Sequence, residues 1–360
     1  MRRFGWLVAV LAVVALLASA CGSDNGKKNA GGSSATTAAN VACAAGTISG
    51  AGSTFVATIA QQWIKDYEAK CSGSTVNYQG VGSGAGIQQF TAGTVDFGAS
   101  DAVMKPEEEQ AAVAKGGQVL HIPWSAGGIA IEYNLSGVSN LKLSPETLAS
   151  IFAGKVKTWN DKMIAADGNS NLPSTRIQVV HRSDGSGTTS AFTSYLTAVA
   201  PTIWTAGAAK DVPWPTGQGA KGSDGVTAAV KQAAGAIGYS EVSYPKSSSL
   251  GIALIKNPAG SFVPPDAKNV AAALAEAQTP PDLKIKPNYK PAAADAYPIS
   301  TPTWVLVFAK PADQAKGKLL KDFLLYAVGP GQASAEGLYY APLPSALQDK
   351  AKAAVSSIQA

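Results

Sequence analysis

Residues 179–190 read Val179-Val180-His181-Arg182-Ser183-Asp184-Gly185-Ser186-Gly187-Thr188-Thr189-Ser190, an apolar strand that runs into a small polar turn and then a helix. A strand ending in Gly, Ser and Thr before a helix leaves several backbone N–H groups without partners and gathers them at one point. The helix macrodipole favours negative charge there. Arg182 adds a two-pronged, charge-assisted donor, and Asp184, two residues on along the same face, is placed to hold the guanidinium. His181 alternates to the opposite face. The turn suits an anion, but it suits a plain helix N-cap beside a surface ion pair just as well, and the segment alone does not choose.

The same strand–turn–helix unit recurs on either side of this stretch, so the pattern predicts α/β layers. A strand over 46–50 leads through Ala51-Gly52-Ser53 to a helix over 54–70, where Phe55, Ile59, Trp63 and Tyr67 form one apolar stripe that packs on a sheet. A strand over 75–79, a glycine-rich loop over 80–86 and a short helix over 87–91 follow, then a strand over 95–101 that ends on the carboxylate of Asp101. Ser144-Pro145-Glu146 opens a helix with a good N-cap and a proline at its first position. Strands over 176–181, 236–240 and 303–308 alternate with helices over 188–199, 223–234 and 313–328, the last stopped by Gly329-Pro330-Gly331. Residues 257–296 are rich in Pro and Ala and carry one helix, over 267–277, with no functional reading. No internal repeat is visible.

Three strand-to-helix turns thus carry small polar residues: Gly52-Ser53-Thr54, Gly82-Ser83-Gly84 and Gly185-Ser186-Gly187-Thr188. In an open α/β sheet such turns lie at the carboxyl ends of strands, where ligands bind, and three of them can converge on one small anion. Gly80-x-Gly82-x-x-Ala85 with Asp101 beyond it imitates a dinucleotide fingerprint, but it lies outside the first βαβ unit. The Gly185–Thr188 turn lacks the Gly-Lys-Ser/Thr ending of a P-loop, and Asp184 stands where a serine-hydrolase elbow needs glycine.

The chain opens Met1-Arg2-Arg3, runs apolar from Phe4 to Leu17 and meets Ala18-Ser19-Ala20 before Cys21, the layout of a secretory signal over 1–20. Small residues directly before a cysteine are similar to a bacterial lipoprotein cleavage site, which makes Cys21 the expected lipid-bearing residue; the usual Leu sits one place early, and an ordinary signal peptide with Cys21 incidental is the alternative. Residues 22–42 have almost no large apolar side chains and read, with Cys21, as a flexible tether with a reach of about 25 Å. With Cys21 lipidated, Cys43 and Cys71 remain as a pair in an oxidising compartment, and a disulfide is expected over two free thiols. The formal charge of +5 becomes +3 without the signal, and the basic residues are scattered, which excludes a nucleic-acid binder and a polybasic membrane patch. With two histidines in the chain, neither a metal site nor another cofactor is expected. About 320 residues of mature chain, with 46% hydrophobic residues overall, favour two lobes.

Six ordered motifs resemble the phosphate-binding lipoproteins of Pst-type ABC phosphate importers: G-A-G-S-T-F (50–55), V-N-Y-Q-G-V-G-S-G (76–84), V-D-F-G-A-S-D (95–101), H-R-S-D-G-S-G-T-T (181–189), W-P-x-G-x-G-x-K-G-x-D-G-V (214–226) and G-A-I-G-Y (235–239). The likeness runs from Gly46 to about Pro344. It implies an α/β, two-lobed periplasmic-binding-protein-like fold of type II, each lobe a mixed sheet flanked by helices, with two crossovers. Lobe I would comprise 43–125 and 300–360, lobe II 126–299, with hinges near 124–130 and 297–303. The resemblance further implies a monomeric, non-catalytic receptor, held to the membrane by its N-terminal lipid, that passes inorganic phosphate to ABC permease subunits. Thr54, the Phe55 backbone, Ser83 and Asp101 would hold the ion from one lobe, and Arg182, Ser186, Gly187 and Thr188 from the other, with Asp184 behind Arg182. Ser53 and His181 depart from some relatives, which leaves a hydroxyl contact from Ser53 open.

Asp101 also carries a physical argument. An ionised carboxylate only accepts hydrogen bonds, so it repels a fully deprotonated anion and suits one that still bears a proton. Hydrogen phosphate supplies that O–H and sulfate does not. A buried carboxylate left unpaired by sulfate implies a preference of roughly a thousandfold. A turn carboxylate with no ligand role is the plainer reading of the same residue. The competing functions are a receptor for another oxyanion or a phosphorylated solute, and a secreted phosphatase using Ser186 or Ser83, for which the sequence shows neither a neighbouring base nor clustered metal ligands.

Overall fold

In the computed structural model, which describes residues 41–360, the first part of the chain builds β1 (Gly46–Gly52), α1 (Ala57–Lys70), β2 (Ser74–Gly80), α2 (Ser83–Ala92), β3 (Phe97–Ser100) and α3 (Pro106–Gly116). A long strand, β4 (Val119–Tyr133), leads to β5 (Lys142–Leu143), α4 (Pro145–Phe152), α5 (Lys162–Ala166), β6 (Gln178–Arg182), α6 (Gly187–Val199), β7 (Gln218–Ala220), α7 (Gly222–Gln232), β8 (Ala236–Glu241) and α8 (Ser243–Ser248). The remainder forms β9 (Gly251–Ile252), β10 (Leu254–Lys256), β11 (Phe262–Val263), α9 (Ala267–Ala275), β12 (Ser300–Phe308), α10 (Gln314–Ala327) and α11 (Ser345–Ser356).

The main sheet has the order β2-β1-β3-β12-β4-β8-β6-β7, with β9 also paired to β4. Strand β4 changes partner partway: residues 119–128 run antiparallel to β12, and residues 129–133 run antiparallel to β8 and then β9. Two half-sheets of one design result, β2-β1-β3-β12-β4 and β7-β6-β8-β4-β9. In each, the first strand lies between two parallel neighbours, and two antiparallel strands complete the set. The repeat invisible in the sequence is therefore one of topology. The two crossings lie side by side near the expected hinge positions, where Ile129 N donates to Ile299 O at 2.8 Å.

Phe55, Ile59, Trp63 and Tyr67 are all fully buried, as the stripe predicts. Trp63 meets Trp124 of β4 with ring centroids 5.5 Å apart, and Tyr78 stacks on Phe97. In the second half, Phe192 packs edge-on against Phe152 and stacks on Tyr239, at 4.8 and 4.7 Å. Each such side chain removed from water contributes about 1.5–3 kcal/mol. The Cys43–Cys71 disulfide is present, with Cα atoms 5.2 Å apart, and ties the approach to β1 to the end of α1.

Several expectations need correction. The loop over 80–86 is helical from Ser83, because Gly84 and Gly86 let the first turn of α2 lie directly against the Gly185 and Gly52 backbones. Strand β4 shows no alternation in the sequence, because it is buried along nearly its whole length and contains Pro123, Gly127 and Gly128. Helices α3 and α11 likewise carry no clear apolar stripe: α3 buries only Ala112, and α11 only Ala351 and Val355. The tether extends less far than residue 42, since Val41 packs on the core and Tyr67 Oη donates to Ala42 O at 3.3 Å. The signal over 1–20, Cys21 and the tether up to residue 40 lie outside the described residues. Among the described residues no helix is long and apolar enough to cross a membrane.

Candidate functional site

Strands β1 and β3, parallel to each other in the first half-sheet, and β6 of the second half-sheet, which runs the opposite way, end at one place and deliver Ser53, Asp101 and Arg182 to it. Helices α2, α6 and α7 begin there, bringing the N–H-rich, electropositive ends of three helices together. Asp101, only 4% exposed, stands at the centre. Its Oδ1 accepts from Ser53 Oγ at 2.6 Å and Thr303 Oγ1 at 2.7 Å. Its Oδ2 lies 2.7 Å from Ser53 Oγ and 3.4 Å from Thr188 Oγ1. Its backbone N–H donates to Ser83 Oγ at 3.3 Å. Burial pushes the carboxyl up to about 6, against the lowering influence of the Ser53 and Thr303 hydroxyls and the Arg182 charge.

Arg182 is buried and held from both ends. Its backbone N–H donates to Tyr239 Oη at 3.1 Å, and its guanidinium grips Asp184 through Nε to Oδ1 at 2.7 Å and Nη2 to Oδ2 at 2.5 Å. Burial opposes ionisation of Asp184, but the hydrogen bonds and charge of Arg182 outweigh it and hold the carboxyl below its usual range. Asp184 Oδ1 also accepts from Gly222 N at 3.1 Å, which fastens the start of α7 to the same ion pair. A Cβ at Gly82, whose φ is +92°, would stand 2.2 Å from Asp184 Oδ2, so no larger residue fits that turn.

The helix-cap reading of residues 179–190 holds, but the ion pair beside the cap is buried rather than at the surface. Ser186 is a true N-cap, its Oγ accepting from Thr189 N at 3.0 Å, and the same turn faces Asp101. A Cβ on Gly187 would lie 2.6 Å from Ser83 Oγ and 2.7 Å from Asp101 N, so α6 begins hard against the first half-sheet's residues. His181 is on the other face, stacked on Trp214 at 4.8 Å, as the alternation predicts.

The two halves meet across this site. Gly84 N donates to Gly185 O at 2.8 Å, Thr54 Oγ1 lies 3.0 Å from Ser223 Oγ and accepts from Ser223 N at 3.2 Å, and Tyr244 Oη donates to Thr54 O at 2.5 Å. Lys210 joins them through its ammonium and braces its own half through its backbone. Its carbonyl accepts from Ser186 N at 2.8 Å, while its ammonium pairs with Glu108 of α3 at 2.5 Å.

The structure brings Ser53, Thr54, Phe55, Ser83, Asp101, Arg182, Ser186, Gly187 and Thr188 into one cluster, with Asp184 behind Arg182. Two details alter the expectation. Ser53 Oγ binds Asp101 and also accepts from Phe55 N at 3.0 Å, so that backbone donor is engaged by the chain's own hydroxyl. Asp101 is paired by neighbouring hydroxyls rather than left bare, so it does not stand as the orphaned charge on which the thousandfold preference rests. Sequence reading missed Thr303, Ser223, Tyr239 and Tyr244. Lys221-Gly222-Ser223 was a fourth glycine–serine helix start and could have been found; Thr303 is 202 residues from Asp101 and carries no local signal. No cluster of three or more His, Cys, Asp or Glu suited to a metal occurs among the described residues.

A family model described as a PBP superfamily domain matches residues 37–330. Phosphate-binding protein PstS 3 of Mycobacterium tuberculosis (strain ATCC 25618 / H37Rv) is 36% identical over 367 residues, covering 99% of each chain. This chain belongs to the PstS family of phosphate-binding proteins. Another PstS family member, from Pasteurella multocida (strain Pm70), is 42% identical over 313 residues, covering 85% of this chain and 89% of its own. Among solved structures, the periplasmic phosphate-binding protein PfluDING aligns with a TM-score of 0.72 at 24% identity, covering 86% of this chain and 93% of that one. A phosphate-binding protein from Stenotrophomonas maltophilia aligns with a TM-score of 0.69 at 21% identity, covering 86% and 93%. These likenesses establish the fold, a two-lobed α/β architecture with mixed sheets.

Proposed function

We propose that the protein captures inorganic phosphate outside the cytoplasmic membrane and delivers it to the permease of an ABC importer. The observation that carries this reading is the buried carboxylate of Asp101 set against the Arg182-bearing turn. Arg182 and the helix N-termini attract an oxyanion of any kind; Asp101 accepts a hydrogen bond from an O–H that the anion still carries. An ion combining negative charge with an O–H donor satisfies both, and hydrogen phosphate and dihydrogen phosphate do so at neutral pH. The PstS relatives are named for that ligand.

Thr54, Phe55, Ser83 and Asp101, with Ser53 behind Asp101, act from lobe I (43–125 and 300–360). Arg182, Ser186, Gly187 and Thr188 act from lobe II (126–299), and the paired crossings near 124–130 and 297–303 serve as the hinge. The protein works as a monomeric binding protein rather than an enzyme. The seryl oxygen of Ser186 is engaged as a helix cap, and the ring of His181 is stacked on Trp214 across the strand from it. A signal-like stretch over 1–20 followed by Cys21 supports export and lipid anchoring to the cell membrane.

Titration calorimetry with phosphate, sulfate and a phosphate ester tests the reading. Phosphate is expected to bind in the micromolar range or tighter, sulfate and the ester far more weakly. Phosphate affinity should rise as pH climbs through about 6, where Asp101 ionises and becomes a full acceptor. No binding of phosphate at micromolar concentration, or equal binding of all three, contradicts it.

A further inference from the structure

The two oxygens of Asp101 are treated differently. Ser53 Oγ sits about evenly between them, at 2.6 and 2.7 Å, with one proton to share. Beyond that, Oδ1 receives the Thr303 hydroxyl at 2.7 Å, and Oδ2 has only a distant contact from Thr188 at 3.4 Å. Oδ1 is filled from the first half-sheet; Oδ2 faces α6 and the Arg182 turn and keeps acceptor capacity. Thr303 is fully buried on β12, at the register shift between Thr303 and Trp304, opposite Ser125 of β4. The irregularity lies where the two crossing strands pair.

Building on the phosphate reading above, we propose that Thr303 is a positioning residue that determines specificity: by occupying Oδ1 it reserves Oδ2 of Asp101 for the proton of the bound anion. The hydroxyl also pins the selecting carboxylate to the crossing strands, so its orientation follows the hinge.

The groups facing Asp101 are Arg182 from β6, which favours the ionised form, and the phenols of Tyr78 on β2 and Tyr244 on α8, both held up first by burial and neutral near pH 7. Without the Thr303 hydroxyl, Oδ1 loses a buried donor and the carboxyl is driven towards its protonated form. A protonated Asp101 no longer accepts the phosphate proton and donates to sulfate instead.

The test measures phosphate and sulfate binding by calorimetry across pH 5–8 for the full protein and for Thr303→Val and Thr303→Ser. Valine should lower the preference for phosphate over sulfate about tenfold and move the rise in phosphate affinity to higher pH, and serine should restore both. Thr303→Ala gives the same reading if the valine variant does not fold. An unchanged preference and pH profile, or equal weakening of both anions with no shift in profile, overturns the role of Thr303. If the unaltered protein binds no phosphate, the functional reading fails and this inference falls with it.

Discussion

The two half-sheets share one strand order and bring opposite charges to the site they enclose. The first contributes a carboxylate, Asp101, ringed by the hydroxyls of Ser53 and Thr303. The second contributes a guanidinium, Arg182, braced by Asp184, and the starts of α6 and α7. On the proposed reading, one topology has been loaded with two chemistries: the second half supplies general attraction for oxyanions, and the first half tests whether the anion still carries a proton. Neither explains selectivity without the other, since a carboxylate alone repels phosphate and an arginine turn alone accepts sulfate.

The largest expected effect comes from the attracting half. Arg182→Met should weaken phosphate and sulfate alike by about a thousandfold, because it removes the guanidinium and leaves Asp184 unpaired beside the site. Calorimetry on both anions decides it. A loss confined to phosphate would break the assignment of general attraction to this half.

A smaller effect tests how the halves are joined. The Lys210–Glu108 pair is partly buried, with side chains 10% and 24% exposed, and Lys210 also carries the carbonyl that holds Ser186 N. Lys210→Met keeps that carbonyl and removes the clasp. Phosphate release in stopped-flow should accelerate about tenfold, with association little changed and the phosphate-to-sulfate preference intact. An altered preference would show that the clasp takes part in selection as well as closure.

The attracting half was largely legible in the sequence and the selecting half was not. Residues 179–190 carry their chemistry locally: a strand end, an arginine, a brace two residues on and a helix start, all within reach of period and spacing rules. The apolar stripe of α1 was equally clear. Asp101 was visible only as a carboxylate at a strand end, and its role came from the resemblance to phosphate-binding lipoproteins. Its environment depends on Thr303, brought in by a strand from the far end of the chain. Strand β4, which organises both half-sheets, left no alternation to read because both its faces are covered. Neighbouring hydroxyls already satisfy part of Asp101, so the proposed discrimination rests on hydrogen-bond acceptance at one oxygen more than on an orphaned charge.

The central claim is that Asp101 selects and the Arg182 turn attracts. Its most direct test is Asp101→Asn, with phosphate and sulfate affinities measured side by side at neutral pH. The predicted result is a collapse of the phosphate-to-sulfate preference that exceeds the loss in phosphate affinity itself, because the amide donates to sulfate and repels neither anion. An unchanged preference, with both anions weakened equally or not at all, would contradict the account.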